Sequence, residues 1–242
     1  MNTSIFKIKQ NVLIAKNTYK MVLEGDTSHI TAAGQFVNIK LEGFFLRRPI
    51  SVCDLEGDLL TLIYKVVGEG TEAMSKMAEG TELDVLCGLG NGYDLTKSGA
   101  TPLLIGGGAG VPPMFLLARR LIAEGKKPTA ILGFGSADEV FYKEEFEKIG
   151  VPVTVTTVDG SAGIKGFVTD AMNGEYSYFF TCGPEPMLKA IYDKSLTSGQ
   201  FSFEERMGCG FGACMGCSCK TKYGNKRICR EGPVLVKEEI IW

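Results

Sequence analysis

The feature that most constrains the fold is a change of pattern near residue 97. Before it, short β-rich runs such as QFVNIKLEG and LLTLIYKVVG follow one another between glycines, a spacing typical of antiparallel barrels and sandwiches. After it, strand-like runs alternate with helical runs, which predicts a parallel sheet with right-handed crossovers. A cysteine-rich tail begins near Phe201. The sequence therefore predicts an antiparallel β-barrel over residues 1–97, an α/β domain over 98–200 and a small separate segment over 201–242.

Three helices are predicted in the α/β part, the last of them in the run YSYFFTCGPEPMLKAIYDKSLTSG, whose pattern is strand, turn, helix. One covers Met114–Glu124 and ends at Gly125, and the run DEVFYKEEFEKIG predicts a second, amphipathic one. In the barrel part a short helix is expected between Gly70 and Gly80, with Thr71 as its N-cap.

Composition excludes several classes of function. The 242 residues are 45% hydrophobic and 22% charged, with a net charge of −2 and no basic cluster, so nucleic-acid binding is not expected. No apolar stretch approaches the roughly 18 residues of a membrane helix or resembles a signal peptide. We expect a cytoplasmic protein that does not bind membranes, and stable disulfides are rare in the cytoplasm. Its eight cysteines are therefore candidates for metal binding or redox chemistry.

Four cysteines near the end of the chain follow one spacing. Cys209, Cys214, Cys217 and Cys229 fit C-x4-C-x2-C with a distant fourth cysteine, which is the plant-type 2Fe–2S pattern. The intervening glycines allow a short loop to bring thiolates together and to turn backbone N–H groups toward a negative cluster. The spacing predicts a 2Fe–2S cluster held by these four thiolates.

The cysteines also allow other interpretations. A zinc site remains open, although zinc sites favour paired C-x2-C knuckles, and so do reduced thiols without metal. A Rieske centre needs two histidines, and His29 is the only one. Cys219 is interpreted as a spare, and Cys53, Cys87 and Cys182 as small buried residues.

Two glycine turns suggest a nucleotide site. Gly106, Gly107, Gly108 and Gly110 follow a predicted strand and open a helix, where backbone N–H groups favour a pyrophosphate. Cys182, Gly183 and Pro184 follow a later strand at the same predicted sheet edge. The alternative is a glycine turn without a ligand, with Cys182 serving only in packing.

Two further motifs lie in the β-rich part. Arg48, Pro49, Ile50 and Ser51 place a guanidinium, which suits phosphate, beside a proline that belongs at a strand edge. The GEGT run, Gly68–Thr71, leads into the short helix and is a possible anion site. Taken alone, an arginine beside a proline is more often an ordinary surface residue.

The motifs RPIS, GEGT, GGGAGVPP and CGPEPM occur in the order typical of the ferredoxin–NADP reductase superfamily. The tail CGFGACMGCSC…CREGPV further resembles that of the electron-transfer subunits of NAD-dependent (type B) dihydroorotate dehydrogenases. The resemblance covers essentially the whole chain. It implies an FAD-binding barrel, an NAD-binding α/β domain and a 2Fe–2S segment with the boundaries given above.

The resemblance also implies roles for residues. FAD would contact Arg48, Pro49, Ile50, Ser51, Ile63, Tyr64, Lys65, Gly70 and Thr71. NAD(H), an exchangeable substrate, would lie against Gly106, Gly107, Gly108, Gly110, Cys182, Gly183 and Pro184, while the four cysteines would bind iron. No side chain is expected to act as a catalytic acid or base. The family commonly has an arginine where this sequence has Lys65. A lysine cannot make the bidentate contact that an arginine makes.

The implied function is an oxidoreductase subunit that relays electrons through FAD and the cluster. Its partner would be an FMN-containing catalytic subunit that oxidises dihydroorotate in UMP synthesis, in a heterotetramer with two copies of each chain. One alternative is a related reductase subunit of a bifurcating transhydrogenase, a hydrogenase or a sulfide-linked complex. Another is an iron–sulfur redox sensor without turnover.

Overall fold

The computed structural model describes residues 2–242. Its first part is a closed antiparallel barrel of six strands, arranged in the order β1-β2-β5-β4-β3-β6. The strands are β1 Asn2–Ala15, β2 Thr18–Glu24, β3 Phe36–Ile39, β4 Arg48–Glu56, β5 Leu59–Lys65 and β6 Glu82–Leu89.

The barrel interior is built by alternation along its strands. In β1 the side chains of Phe6 and Ile8 are fully buried, whereas those of Lys7 and Lys9 are exposed to solvent. This period of two is what a pleated strand with one buried face requires. The short helix α1, Glu69–Ser75, follows β5.

Thr71 lies inside helix α1 and is not its N-cap. The helix begins after Gly68, and the Thr71 hydroxyl donates to the Gly68 carbonyl at 3.0 Å while accepting from the Val67 and Gly68 N–H groups. The hydroxyl thus satisfies N–H groups at the start of the helix from its third position, which accounts for the difference from the expected N-cap.

The second part is a seven-stranded sheet in the order β10-β9-β8-β7-β11-β12-β15. The strands are β7 Leu103–Gly107, β8 Thr129–Phe134, β9 Val153–Thr157, β10 Ile164–Lys165, β11 Phe179–Cys182, β12 Gly199–Ser202 and β15 Val234–Val236. All neighbouring pairs are parallel except β12 with β15. The helices are α2 Val111–Ala123, α3 Lys143–Lys148 and α4 Glu185–Lys194.

Helix α2 joins the two parts. It is apolar on most sides, packs on both the sheet and barrel strand β4, and begins with Pro112 and Pro113 in its first turn, where their missing N–H groups cost no hydrogen bond. Arg119 of α2 pairs with Asp54 of β4. The two parts therefore share a packed boundary.

Helix α3 is shorter than the sequence pattern predicts. Tyr142 precedes it in a left-handed conformation, with φ of 65°, so the helix begins only at Lys143. The Tyr142 ring is buried against Phe115 and Phe141, and this aromatic packing holds the backbone in a conformation that interrupts the helix.

The last part contains a two-stranded hairpin, β13 Ser218–Thr221 with β14 Gly224–Arg227, before the chain returns to the sheet as β15. The predicted fold class, a barrel followed by an α/β domain and a small C-terminal segment, is confirmed. Within residues 2–242 no helix is long and apolar enough to cross a membrane.

Candidate cofactor sites

Arg48 and Gly70, which come from two separate motifs, lie against each other. A Cβ on Gly70 would stand 2.0 Å from the Arg48 Nε, so only glycine permits the guanidinium to lie there. Arg48 also lies over the Phe44 ring, 4.8 Å from its centroid, and donates to the Leu46 carbonyl. The RPIS and GEGT motifs therefore form one surface with a fixed guanidinium, which suits a phosphate-bearing group.

Strand β5 carries the next predicted flavin contacts beside this surface. Tyr64 is buried, stacks on Tyr19 and donates its hydroxyl to Asn11 Oδ1 at 2.9 Å. Burial raises the pKa of Tyr64 well above its ordinary value, so the phenol stays neutral. The role of this ring is therefore in packing and orientation.

The two glycine turns of the α/β part meet at one edge of the sheet. Cys182 pairs in register with Gly106, and a Cβ on Gly110 would stand 2.1 Å from the Cys182 carbonyl oxygen. A Cβ on Gly183 would stand 3.3 Å from the Gly107 nitrogen. Burial raises the pKa of the Cys182 thiol to about 12, so it is not a thiolate. The turns form a backbone-lined crevice at the carboxyl ends of β7 and β11, where ligands of such sheets bind.

A cleft between the two parts brings the predicted flavin strand to the predicted nucleotide loop. Its lining residues are Thr18, Ile63, Tyr64, Lys65, Gly108, Ala109, Phe134, Glu139 and Phe141. Lys65 Nζ crosses the cleft to Glu139 Oε1 at 2.9 Å. Glu139 also accepts from the Gly135 N–H, and its pKa is lowered, chiefly by the hydrogen bond from Lys65.

The four predicted cluster ligands lie in one small region as two pairs. Cys209 adjoins Cys214, and Cys229 adjoins Cys217. Cys217 and Cys229 are buried, whereas Cys214 is exposed. Among residues 2–242, no three His, Cys, Asp or Glu side chains converge as ligands of a single metal ion.

Backbone N–H groups point at these sulfurs. Cys209 Sγ accepts from the Ala213 and Cys214 N–H groups at 3.2 and 3.4 Å, Cys214 Sγ from Gly216 at 3.5 Å, and Cys217 Sγ from Cys229 at 3.4 Å. Although burial acts to raise it, the pKa of Cys209 is lowered to about 6 by its hydrogen-bond donors. A loop that donates N–H groups to sulfur suits an anionic cluster.

Cys229 differs from Cys209 in its ionisation. Burial raises the pKa of Cys229 to about 12, so a nearby cation is needed for it to become a thiolate at neutral pH. Iron supplies such a charge when bound. Cys219 stands apart on β13, opposite Lys226. The donor set and the backbone around it thus fit an iron–sulfur cluster.

Asn38 connects the cluster segment to the barrel. It is paired in register with Pro49 of the RPIS motif, and a Cβ on Gly210 would stand 2.4 Å from its Nδ2. Its Oδ1 atom is buried and has no hydrogen-bond partner. The loop with the first cysteines therefore packs on the barrel strand next to the predicted flavin motif.

Sequence reasoning missed Asn38 and Glu139. Glu139 follows β8 in a polar GSADE run at the ligand-bearing edge of the sheet, which is a signal that could have identified it. Asn38 lies within an apolar strand and gives no comparable signal.

Two family models match the chain. Residues 204–241 match the iron–sulfur cluster binding domain of dihydroorotate dehydrogenase B, and residues 104–193 match the oxidoreductase NAD-binding domain. The first match spans all four predicted ligands. It confirms an iron–sulfur domain, while the individual ligands stay a prediction.

Among curated relatives, a protein of Fusobacterium nucleatum is 45% identical, with 96% of each chain covered. One of Shouchella clausii is 41% identical, with 94% of each covered. Both are described as the electron transfer subunit of dihydroorotate dehydrogenase B (NAD(+)).

Solved structures share the architecture. The structure of an NADH-dependent reduced ferredoxin-NADP oxidoreductase superposes with a TM-score of 0.89 at 30% identity, covering 98% of this chain and 90% of that one. Phthalate dioxygenase reductase, at 19% identity, superposes with a TM-score of 0.65 over 80% of this chain and 63% of its own, and shows the fold alone.

The barrel, the nucleotide-type sheet and the cysteine segment together define a reductase of the ferredoxin-reductase fold with its own iron–sulfur domain. Within that class, the chain belongs to the family of electron transfer subunits of dihydroorotate dehydrogenase B (NAD(+)). The predicted family and electron-transfer function are thereby confirmed.

Proposed function

We propose that this chain relays electrons between NAD(H) and a catalytic partner subunit that oxidises dihydroorotate in pyrimidine synthesis. The observation that supports the proposal is that the three groups of predicted site residues adjoin one another in turn within one chain. The interdomain cleft joins the nucleotide loop at Gly108 to β5, and Asn38 joins the flavin motif to the cluster segment.

Different residues of the chain would position FAD and NAD(H). Arg48 with Gly70 would hold the FAD pyrophosphate, and β5 would flank the flavin ring with the neutral Tyr64 behind it. The turns at Gly110 and Gly183 would hold NAD(H) on the opposite wall of the cleft. When bound, the cofactors would supply the chemistry, namely hydride exchange between NAD(H) and FAD and single-electron exchange between FAD and the cluster.

The cluster side of the chain would face the partner. Cys214 is exposed, and the neighbouring Phe211 and Met215 are 40% and 54% exposed, which leaves apolar surface beside the iron site. Because a 2Fe–2S centre passes one electron at a time, the partner needs a cofactor that accepts single electrons, and FMN meets this need. Following the family resemblance, we propose a heterotetramer with two copies of each subunit.

We further propose that the assembly works in the cytoplasm. None of the eight cysteines of residues 2–242 is in a disulfide, and cysteines that are not oxidised are typical of a reducing compartment.

The test compares the purified chain with the reconstituted complex. Alone, the chain should show flavin absorbance that NADH bleaches, should reduce a dye with NADH, and should form no orotate from dihydroorotate. Adding the catalytic subunit should restore dihydroorotate-dependent NAD reduction. A colourless, zinc-containing chain, or orotate formation by the chain alone, would contradict the proposal.

A second candidate is a subunit of an electron-bifurcating transhydrogenase. The NADH-dependent reduced ferredoxin-NADP oxidoreductase, a structure that gives insight into flavin-based electron bifurcation, superposes with a TM-score of 0.89. The match of residues 204–241 to the dihydroorotate dehydrogenase B domain favours the first candidate. Identification of the co-purifying partner distinguishes the two.

A further inference from the structure

The cysteine pairs lie on different pieces of backbone. Cys209 and Cys214 lie on the loop of residues 209–216, here called the cluster loop, which contains no strand or helix. Cys217 and Cys229 lie at the base of the β13–β14 hairpin, where the Cys229 N–H donates to Cys217 Sγ. A cluster that takes two ligands from each piece needs the pieces held at a fixed separation.

Arg227 is the side chain that spans this separation. One terminal nitrogen, Nη1, donates to the Gly212 carbonyl at 2.7 Å, in the middle of the cluster loop. Its Nε donates to Glu231 Oε2 at 2.9 Å, and its Nη2 donates to Glu231 Oε1. The Arg227 backbone N–H donates to the same carboxylate at 2.9 Å.

This geometry fixes the guanidinium in one orientation. A planar fork bound at two nitrogens by a carboxylate cannot rotate without losing both bonds, so the third nitrogen is presented to Gly212 in a set direction. The Arg227 side chain is 23% exposed, so solvent competes little for these bonds. Glu231 is itself placed by the Asn91 Nδ2, which donates to its carbonyl at 3.2 Å.

Arg230, which follows Cys229 in the chain, provides a matched comparison because it contacts the same glycine of the cluster loop. Its aliphatic carbons pack against Gly212, where a Cβ would stand 2.7 Å from Arg230 Cδ. It is exposed, and no hydrogen bond joins its side chain to the rest of residues 2–242. The hydrogen bond from Arg227 to the Gly212 carbonyl is here called the tether. Arg230 therefore carries the same charge beside Gly212 without the tether.

We propose that Arg227, oriented by Glu231, is a positioning residue that holds the two cysteine pairs at the separation required by the cluster. This inference rests on the proposed function, because it assumes that the four thiols bind a 2Fe–2S cluster. The tether determines how firmly iron is kept and which geometry the cluster adopts.

The experiment uses the full-length chain with FAD and reconstituted iron–sulfur cluster, as the parent and as R227Q, R227K, E231Q and R230Q. Iron release to a chelator is followed under anaerobic conditions, and the EPR spectrum of the reduced cluster is recorded. FAD content and far-UV circular dichroism report whether each variant is folded.

Loss of an outer partner of a metal ligand weakens metal binding by about 10–100-fold, so R227Q should release iron about tenfold faster and show a changed EPR line shape. R227K should resemble R227Q, because an ammonium group cannot form the fork and reach Gly212 together. E231Q should be intermediate, and R230Q should match the parent.

Several results would overturn the proposal. Equal iron retention and identical EPR spectra for R227Q and the parent would show that the tether is not needed. Full rescue by R227K, or an equal effect of R230Q, would show that charge alone matters. Loss of FAD together with iron in R227Q would indicate general unfolding and would also reject the positioning role. A parent chain without any 2Fe–2S cluster would reject both this inference and the proposed function.

Discussion

The flavin barrel and the cluster segment are stabilised in contrasting ways. The barrel closes six strands around side chains such as Phe6, Met21 and Leu62, all fully buried. The cluster loop has no regular structure, exposes Cys214 and Met215, and is held by N–H groups that donate to sulfur and by Arg227. Apolar packing specifies the barrel, whereas the cluster segment depends on polar contacts and on the cluster that its thiols are predicted to bind.

The largest expected effect comes from removing a buried cluster ligand. Cys217→Ser should abolish the 2Fe–2S absorbance and iron content almost completely while FAD remains bound, because the barrel does not need the metal. Iron and flavin analysis of the purified variant measures this difference. Cys219→Ser is the control and should keep its cluster; the reverse pattern would show that the ligand assignment is wrong.

Substitution of a glycine in the turn before α2 tests a close backbone contact that does not involve metal. Gly110→Ala should destabilise the chain by about 3 kcal/mol, because its Cβ would stand 2.1 Å from the Cys182 carbonyl oxygen. It should also weaken NADH binding. Denaturant unfolding with and without iron should show the same loss.

Gly108→Ala is the matched control for that prediction. Space around Gly108 is open, but its φ is +50°, so the cost should be only about 1 kcal/mol, from backbone strain. Equal losses for the two variants would show that close approach at Gly110 is unimportant.

Substitution of Asn38 tests the contact between the barrel and the cluster segment. Because its buried Oδ1 has no partner, Asn38→Leu should stabilise the cofactor-free chain by about 1 kcal/mol. Thermal or denaturant unfolding measures this change. A loss of stability of that size would show instead that the amide makes a bond required by the fold.

The smallest effect on stability should come from a substitution in the cleft between the two parts. Glu139→Gln removes the pair with Lys65, which is partly exposed and should contribute about 0.5 kcal/mol at neutral pH. Because the folded pKa of Glu139 is lowered from 4.5, the pair stabilises the fold above pH 4.5. That stabilisation disappears as the pH falls through the folded pKa.

The parent should therefore lose its advantage over Glu139→Gln in unfolding experiments below pH 4.5. An advantage that persists in acid would mean that the pair is not responsible. Lys16→Met is a useful comparison, since the Lys16–Asp138 pair is more exposed and lies on the same boundary.

Much of this architecture follows from local sequence pattern. A short-range physical requirement explains the alternation in β1 and the glycines before α2, and these strands and helices are present. The cysteine spacing is also a local pattern, and the iron–sulfur domain that it predicts is confirmed by the family match, while its ligands stay a prediction. The meeting of Gly110 with Cys182 followed from a rule about sheet edges, although the residues are far apart in the chain.

The remaining features depend on tertiary contacts that leave no local pattern. The pair between Lys65 and Glu139 joins two parts of the fold, and a lysine gives no indication of which carboxylate it will meet. Asn38 occupies a buried strand position where sequence predicts an apolar residue. The left-handed Tyr142 follows from aromatic packing on Phe115 and Phe141, which exists only once the α/β part has folded. Such residues become visible as functional candidates only through their neighbours in space.

The last strand has a consequence for how the protein is made. β15 completes the sheet of the α/β part by pairing with β12, and the whole cluster segment lies between these two strands in the chain. During synthesis the sheet edge at β12 stays unpaired until the ribosome has produced all four predicted cluster ligands. Truncation after Cys229 would leave the buried strand β12, instead of β15, as the edge of the sheet. Exposing a buried strand in this way favours aggregation, so an intact C-terminal strand protects the newly made chain as well as finishing its fold.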